Sequence, residues 1–449
     1  MDRVRRLFTD HVSYEPLDDS AEVDGGESEV DHERVRARFS RLEYGVFFLL
    51  GISMLWAWNM FLAAATYFHG RFQSDEWIAA HYQPSILTVS TLTNLGTVWA
   101  FAKMQKRLSY PARITISLLM NCAVFTLLAF STVVLKHIPA RAYFGFLMVM
   151  VFGASFAAGL NQNGVFAYVA GYGREEYTAA IMSGQGVAGV LPCVAQIVSV
   201  LAVPRSENDE QTGHRVQGSS STSAFIYFFT ATGVSVLTLI AFLYLLRTRS
   251  SPREAETESD EGVSLVGHVK DRSVGLWALF KKLKYLSVAV FVCLMVTMMF
   301  FPVYTSRIVS VNDPGQSRMF DSSVFIPLAF LFWNVGDLAG RVLVSYPGLS
   351  LAHRPKVALT LTIARVVFVP LYLLCNVNGS GAAVKSDFFY LVVVQLLFGV
   401  TNGYLASSCM MGASVWVAAD EREAAGGFMS MMLVAGLAAG SFLSFLMAS

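Results

Sequence analysis

Polar and apolar residues in this chain are segregated into long blocks. From residue 44 onward, apolar runs alternate with short polar breaks, and each run is near the roughly 20 residues that one helix needs to cross a bilayer. The runs cover 44–68, 84–102, 114–135, 142–170, 177–203, 224–246, 285–306, 322–346, 356–377, 388–412 and 424–447. Each is predicted to be a helix, because a backbone in hydrocarbon must satisfy its own hydrogen bonds. The pattern predicts an all-α polytopic membrane protein with eleven transmembrane helices. Composition agrees: 54% of residues are hydrophobic and 14% are charged, which leaves no room for a large soluble domain.

Two polar stretches organise the chain. Residues 1–43 read as a disordered cytosolic tail, and the first apolar run is long enough to stay as a helix, so no cleaved signal peptide is expected. Residues 247–284 begin with Arg247, Arg249 and Arg253, turn acidic through Glu254 to Glu261, and end with Lys281, Lys282 and Lys284. That is a solvated cytosolic linker. It divides a six-helix lobe, 44–246, from a five-helix lobe, 285–449. A central linker between two bundles suggests alternating access, with substrate held between the lobes.

Charge placement gives an orientation. With the amino terminus in the cytosol, seven Lys and Arg lie in the tail, sixteen in the even-numbered loops and eight in the odd-numbered ones, while Arg341 and Arg365 lie within helices. The asymmetry supports a cytosolic amino terminus and an opposite carboxyl terminus. Tyr14-Glu15-Pro16-Leu17 has the form of a tyrosine sorting signal, and Asn378-Gly379-Ser380 is a glycosylation sequon. All five cysteines fall within apolar runs with no metal-binding spacing, so neither a disulfide framework nor a metal site is expected. No Walker A, HExxH or Ser-His-Asp pattern stands out. An enzyme, an ATP-driven pump, a cofactor and a nucleic-acid partner are therefore not expected.

The polar residues inside the runs carry the chemistry. Asp337 and Arg341 sit four apart in the eighth run, on one helix face where they can neutralise each other. Charges at that depth persist where they face a protein interior or a water-filled path, although a buried pair can also serve packing alone. Asn334 shares the face, so an amide, a carboxylate and a guanidinium fork lie in a row. In the first run Leu55, Trp58, Asn59 and Leu62 share a face, and Trp58 lies deeper than an interfacial belt residue. The second run offers Thr91 and Asn94, and the fourth offers Asn161, Gln162 and Asn163 in succession. Three consecutive amides cannot all face one side of a helix. Arg365, inside the ninth run, and Arg113 and Glu423, near helix ends, read as latch or packing charges, and Gly184, Gly186 and Gly189 as a close, sliding helix contact.

At these residues the chain resembles the equilibrative nucleoside transporter family, most of all its fungal members. Ala57-Trp58-Asn59 resembles the family's first-helix motif, and Tyr177–Gly186 its fifth-helix signature. Trp333–Arg341, Ala364–Pro370 and Thr401–Ser407 are similar to its eighth, ninth and tenth helices. The resemblance implies a major-facilitator-like fold that moves nucleosides, and in some members nucleobases, down their gradients. It implies that Trp58 faces the base, that Asp337 and Arg341 handle the ribose side, and that Asn334, Thr91 and Asn94 border the site. Arg113 and Glu423 would belong to a cytosolic gate. Two departures stand out: Ala57 replaces a proline, and Asn163 stands where many relatives place a base-reading glutamine, with Gln162 adjacent.

The expectation is a facilitative nucleoside carrier that needs only its substrate and a lipid bilayer. A proton-coupled carrier is the alternative, with Asp337 as the titrating group. Arg341 opposes that role, because a neighbouring cation favours the carboxylate over the acid. A carrier for sugars or other metabolites and a non-transporting receptor are weaker readings. Fungal relatives and the Tyr14 signal favour a vacuolar or other endomembrane site over the plasma membrane.

Overall fold

The computed structural model describes residues 40–105, 108–202, 221–257, 274–313, 315, 317–346 and 348–448. In chain order the helices are α1 (Arg41–Ala63), α2 (Ala65–Phe72), α3 (Glu76–Lys103), α4 (Tyr110–Val134), α5 (Ala140–Gly171), α6 (Glu175–Ala202) and α7 (Ser221–Thr257). Then come α8 (Leu276–Arg307), α9 (Ser322–Leu343), α10 (Pro355–Ala364), α11 (Phe368–Leu373), α12 (Leu397–Met411) and α13 (Arg422–Ala448). A π-helical segment, Phe389–Leu396, leads into α12. Among the described residues the only β pairing is an isolated bridge between Ile308 and Val377.

Each predicted run is helical over most of its described length. Ten helical stretches among the described residues are long and apolar enough to cross a membrane. The run at 84–102 lies in α3, which is 28 residues long but diluted by Ser90, Thr91, Thr93, Asn94 and Thr97. Its polar residues have a reason, because Ser90, Thr91 and Asn94 border the central cavity.

Two runs are broken where the sequence suggested continuous helices. The first, expected to reach residue 68, leaves helical geometry at Ala64 (φ −83°, ψ 3°) and resumes as α2. The ninth is split into α10 and α11 by a 3-10 turn at Arg365–Val367. Pro370 has no N–H to give the Val366 carbonyl, which fits a break there. Between the sixth and seventh spans, α7 extends helically to Thr257 and α8 begins at Leu276, so helix reaches into both ends of the expected linker. The Tyr14 motif and residues 258–273 lie outside the described residues. Asn378 is exposed in a turn with φ 53°.

Packing follows a clear order. In the first half α4 packs on α5 and α7, and α3 on α5; in the second, α8 packs on α13, α10 and α12, and α9 on α12. Across the chain's midpoint α9 packs on α6, and α13 on both α5 and α3. Small residues permit the closest approaches. Gly336 and Gly340 of α9 face the backbone of Leu396 and Val400, while Gly399 and Gly403 of α12 face the carbonyls of Trp333 and Asp337. A Cβ at Gly403 would overlap the Asp337 carbonyl oxygen. In α6, the three glycines singled out above divide: Gly184 faces Phe48 of α1, whereas Gly186 and Gly189 face Leu338 and Asn334 of α9.

Gly403→Ala is expected to lower the melting temperature in detergent, since overpacking of this kind costs about 1–3 kcal/mol. Gly96→Ala, where an added Cβ meets nothing within 4 Å, should be neutral or stabilising. Equal melting of the two variants would contradict the α9–α12 contact.

Candidate functional site

A cavity of about 290 Å³ opens where α1, α3, α4, α5, α8 and α13 converge. Its volume is near the lower end of the roughly 300–1,000 Å³ of small-molecule sites. One helix supplies Leu55 and Trp58; α3 adds Thr91 and Asn94, α4 adds Asn121 and Phe125, and α5 adds Ser155, Asn161 and Gln162. From the second half come apolar Met298, Val434 and Leu437. The Trp58 ring lies 6.4 Å from Phe61, which in turn lies 5.4 Å from Phe125, so aromatic rings run along one side.

The amides on this cavity are unusual in what they lack. Buried oxygens of Asn94, Asn121 and Gln162, and both ends of the Asn161 amide, have no hydrogen-bond partner among the described residues. Leaving such a group unsatisfied costs about 1–3 kcal/mol. Neutral donors and acceptors beside aromatic rings suit a planar, polar, uncharged solute.

Asp337 and Arg341 do not border this cavity. They lie in the packing between α9, α12 and α6, and are 4% and 7% exposed. Arg341 Nε donates to Asp337 Oδ2 at 2.7 Å, and its Nη1 donates to the Met182 carbonyl and to Gln185 Oε1, both at 3.0 Å. The other Asp337 oxygen accepts from Asn402 Nδ2 at 2.7 Å. Asn402 Oδ1 accepts from Thr297 Oγ1 at 2.7 Å, and Thr297 accepts from Arg365 Nη2 at 2.9 Å. Arg365 also donates to the Cys293 carbonyl at 2.8 Å and lies 4.4 Å over the Phe398 ring. One carboxylate is thus linked to two guanidiniums through a buried chain of hydrogen bonds.

The remaining sequence candidates take distinct places. Arg113 is in the first turn of α4 and 0% exposed. It donates to the carbonyls of Phe101, Met104 and Gln105, covering the carboxyl-terminal end of α3. It also donates to Asn163 Oδ1 at 2.5 Å, and Asn163 Nδ2 donates to the Gly427 carbonyl at 3.5 Å. Asn163 therefore joins α4, α5 and α13 and does not border the cavity, which is left to Asn161 and Gln162. Glu423 packs against Gly171, where an added Cβ would come within 2.9 Å of its Cγ. Among the described residues no ion pair joins it to Arg113. Asn59 donates to the Ala188 carbonyl at 2.6 Å, and Asn334 to that of Phe330 at 2.9 Å. The Leu62 side chain lies outside the described residues.

Sequence reasoning did not single out Asn121, Asn402, Gln185 or Thr297. Asn402 and Gln185 sat within matched motifs, and Asn121 was visible as a lone amide in the apolar run of α4. Thr297 carried no signal, because a threonine often satisfies itself on its own helix.

Spanning helices around a central cavity, with bonded charges kept apart from open amides, define a polytopic membrane carrier. Solved structures agree on the fold: the major facilitator superfamily transporter FucP in its outward conformation superposes with a TM-score of 0.56 at 12% identity, over 90% of each chain. The proton:xylose symporter XylE gives a TM-score of 0.57 at 12% identity, over 90% of this chain and 87% of the other. The nucleoside transporter family profile matches residues 147–449. The yeast Saccharomyces cerevisiae protein named nucleoside transporter FUN26 is 29% identical over 92% of this chain and 85% of its own. Equilibrative nucleoside transporter 1 of Rattus norvegicus is 30% identical over 90% and 96%. The chain belongs to the nucleoside transporter family.

Asp337→Asn strips the only carboxylate from the Arg341–Arg365 chain. Breaking a buried pair in this way is expected to cost about 3–5 kcal/mol, read as a clear drop in melting temperature. Adding Arg341→Met should recover part of the loss. Unchanged melting of the single variant would show that the carboxylate holds nothing together.

Proposed function

We propose that the protein is a facilitative carrier that moves nucleosides, and also nucleobases, across a membrane by alternating access. The observation that carries this reading is the cavity of unpartnered amides and aromatic rings in a chain of the nucleoside transporter family. The halves 44–246 and 285–449 rock against each other across the α6–α9 and α13 contacts. Trp58 and Leu55 hold the base, with Thr91, Asn94 and Gln162 around it. Asp337 and Arg341, bordered by Asn334, serve the ribose side when the α6–α9 contact opens. Arg113, with Asn163 and Glu423, closes the cytosolic end, and Arg365 steadies the second half.

The orientation we propose has the amino terminus in the cytosol, and the membrane is vacuolar or another endomembrane, supported by the Tyr14 motif. Transport is uncoupled from protons in this account, because both Asp337 oxygens are engaged, one by Arg341 and one by Asn402.

Purified protein in liposomes is expected to equilibrate labelled uridine and adenosine saturably, with the same rate whether or not a pH gradient is imposed. Competition by unlabelled nucleosides but not sugars should accompany this. Arg341→Ala should lose flux by about tenfold or more, the scale of a lost charge-assisted hydrogen bond, whereas Trp58→Ala should shift preference among bases. Binding without flux would favour a receptor, and gradient-dependent flux would favour a proton-coupled carrier.

A further inference from the structure

The membrane-buried amides fall into two groups. Asn163 is held at both ends, accepting from Arg113 and donating to the Gly427 carbonyl. Asn402 is held likewise, between Thr297 and Asp337. Asn161 is 1% exposed and borders the cavity, yet neither end of its amide has a partner among the described residues. Asn121 is 3% exposed and leaves its oxygen unpartnered, and Phe125 borders the same cavity one turn further along α4.

An amide held at both ends presents donor and acceptor in a fixed order. One held at neither end can turn over and present either order. Every common nucleobase carries a neighbouring donor and acceptor on one edge. In adenine and cytosine these are an amino group and a ring nitrogen; in uracil and guanine, a ring N–H and a carbonyl. A carboxamide forms a two-bond pair with either kind.

We propose that Asn161 and Asn121 form a base-edge subsite that recognises purines and pyrimidines alike, because no hydrogen bond among the described residues fixes the orientation of the Asn161 amide. This rests on the nucleoside-carrier reading above. Asn161 makes the two-bond pair, and Asn121 takes a further polar group on the base. The aromatic rings of Trp58 and Phe125 supply flat apolar surface for either ring system.

The test uses the full protein in liposomes and compares two pairs of labelled solutes. Adenosine is set against purine riboside, which lacks the amino group, and uridine against 3-methyluridine, whose ring N–H is blocked. Wild type should favour the intact edge by about tenfold in each pair, the scale of one lost bidentate contact. In Asn161→Leu the preference should fall to within about twofold for both pairs, and Asn121→Leu should lose a smaller part. Asn161→Ser, which cannot make the two-bond pair, gives the same readout should the leucine variant fail to fold. Wild-type preference retained in the Asn161 variants overturns the subsite, and collapse in only one pair overturns its indifference to the base. A wild-type protein that moves none of the four solutes overturns the carrier reading together with this one.

Discussion

A single buried carboxylate organises the second half of the molecule. Asp337 accepts from Arg341 on its own helix and from Asn402 on α12, and through Asn402 and Thr297 it is linked to Arg365. These contacts need backbones close enough for short side chains to meet. Gly336, Gly340, Gly399 and Gly403 provide that closeness on both helices. Removing the carboxylate would leave two buried guanidiniums without a counter-ion, a far greater cost than losing any one hydrogen bond. Arg341 then carries the network across to α6 through Met182 and Gln185, the contact on which the proposed movement of the halves would act.

The charges and the open amides are kept in separate places. Arg113, Asp337, Arg341 and Arg365 are bonded inside helix packing, while the central cavity is lined by Asn, Gln, Ser and Thr together with aromatic and aliphatic side chains. For an uncharged solute this division is sound physics. A fixed charge in the cavity would hold water tightly and raise the cost of displacing it, whereas neutral amides exchange water for solute with little net penalty. Charges serve better at contacts that must be definite in each state and must break between states.

Ten of the eleven predicted spans were legible because period and length follow from the bilayer itself. The helices lie where the apolar runs lie, and α3 was read as a span despite the hydroxyl and amide residues that thin its apolar character. The break at Ala64 was not legible, since no proline or glycine marks it. The Asp337–Arg341 pair follows from a four-residue spacing on one helix, but its other partners come from α12 and α6, and only tertiary packing brings those close. The triple amide of α5 shows the same limit. Successive residues on a helix turn by about 100°, so one of the three had to face away, and only the position of Arg113 on α4 decides that it is Asn163.

Alternating access in this carrier would require the α6–α9 contact to open during transport. Spin labels at Glu176 and Leu343, both exposed near the ends of α6 and α9, would report it by pulsed electron resonance in liposomes. Two distance populations whose ratio shifts when uridine or adenosine is added are the result the account predicts. A single distribution, unchanged by either nucleoside in protein that still transports, would contradict it.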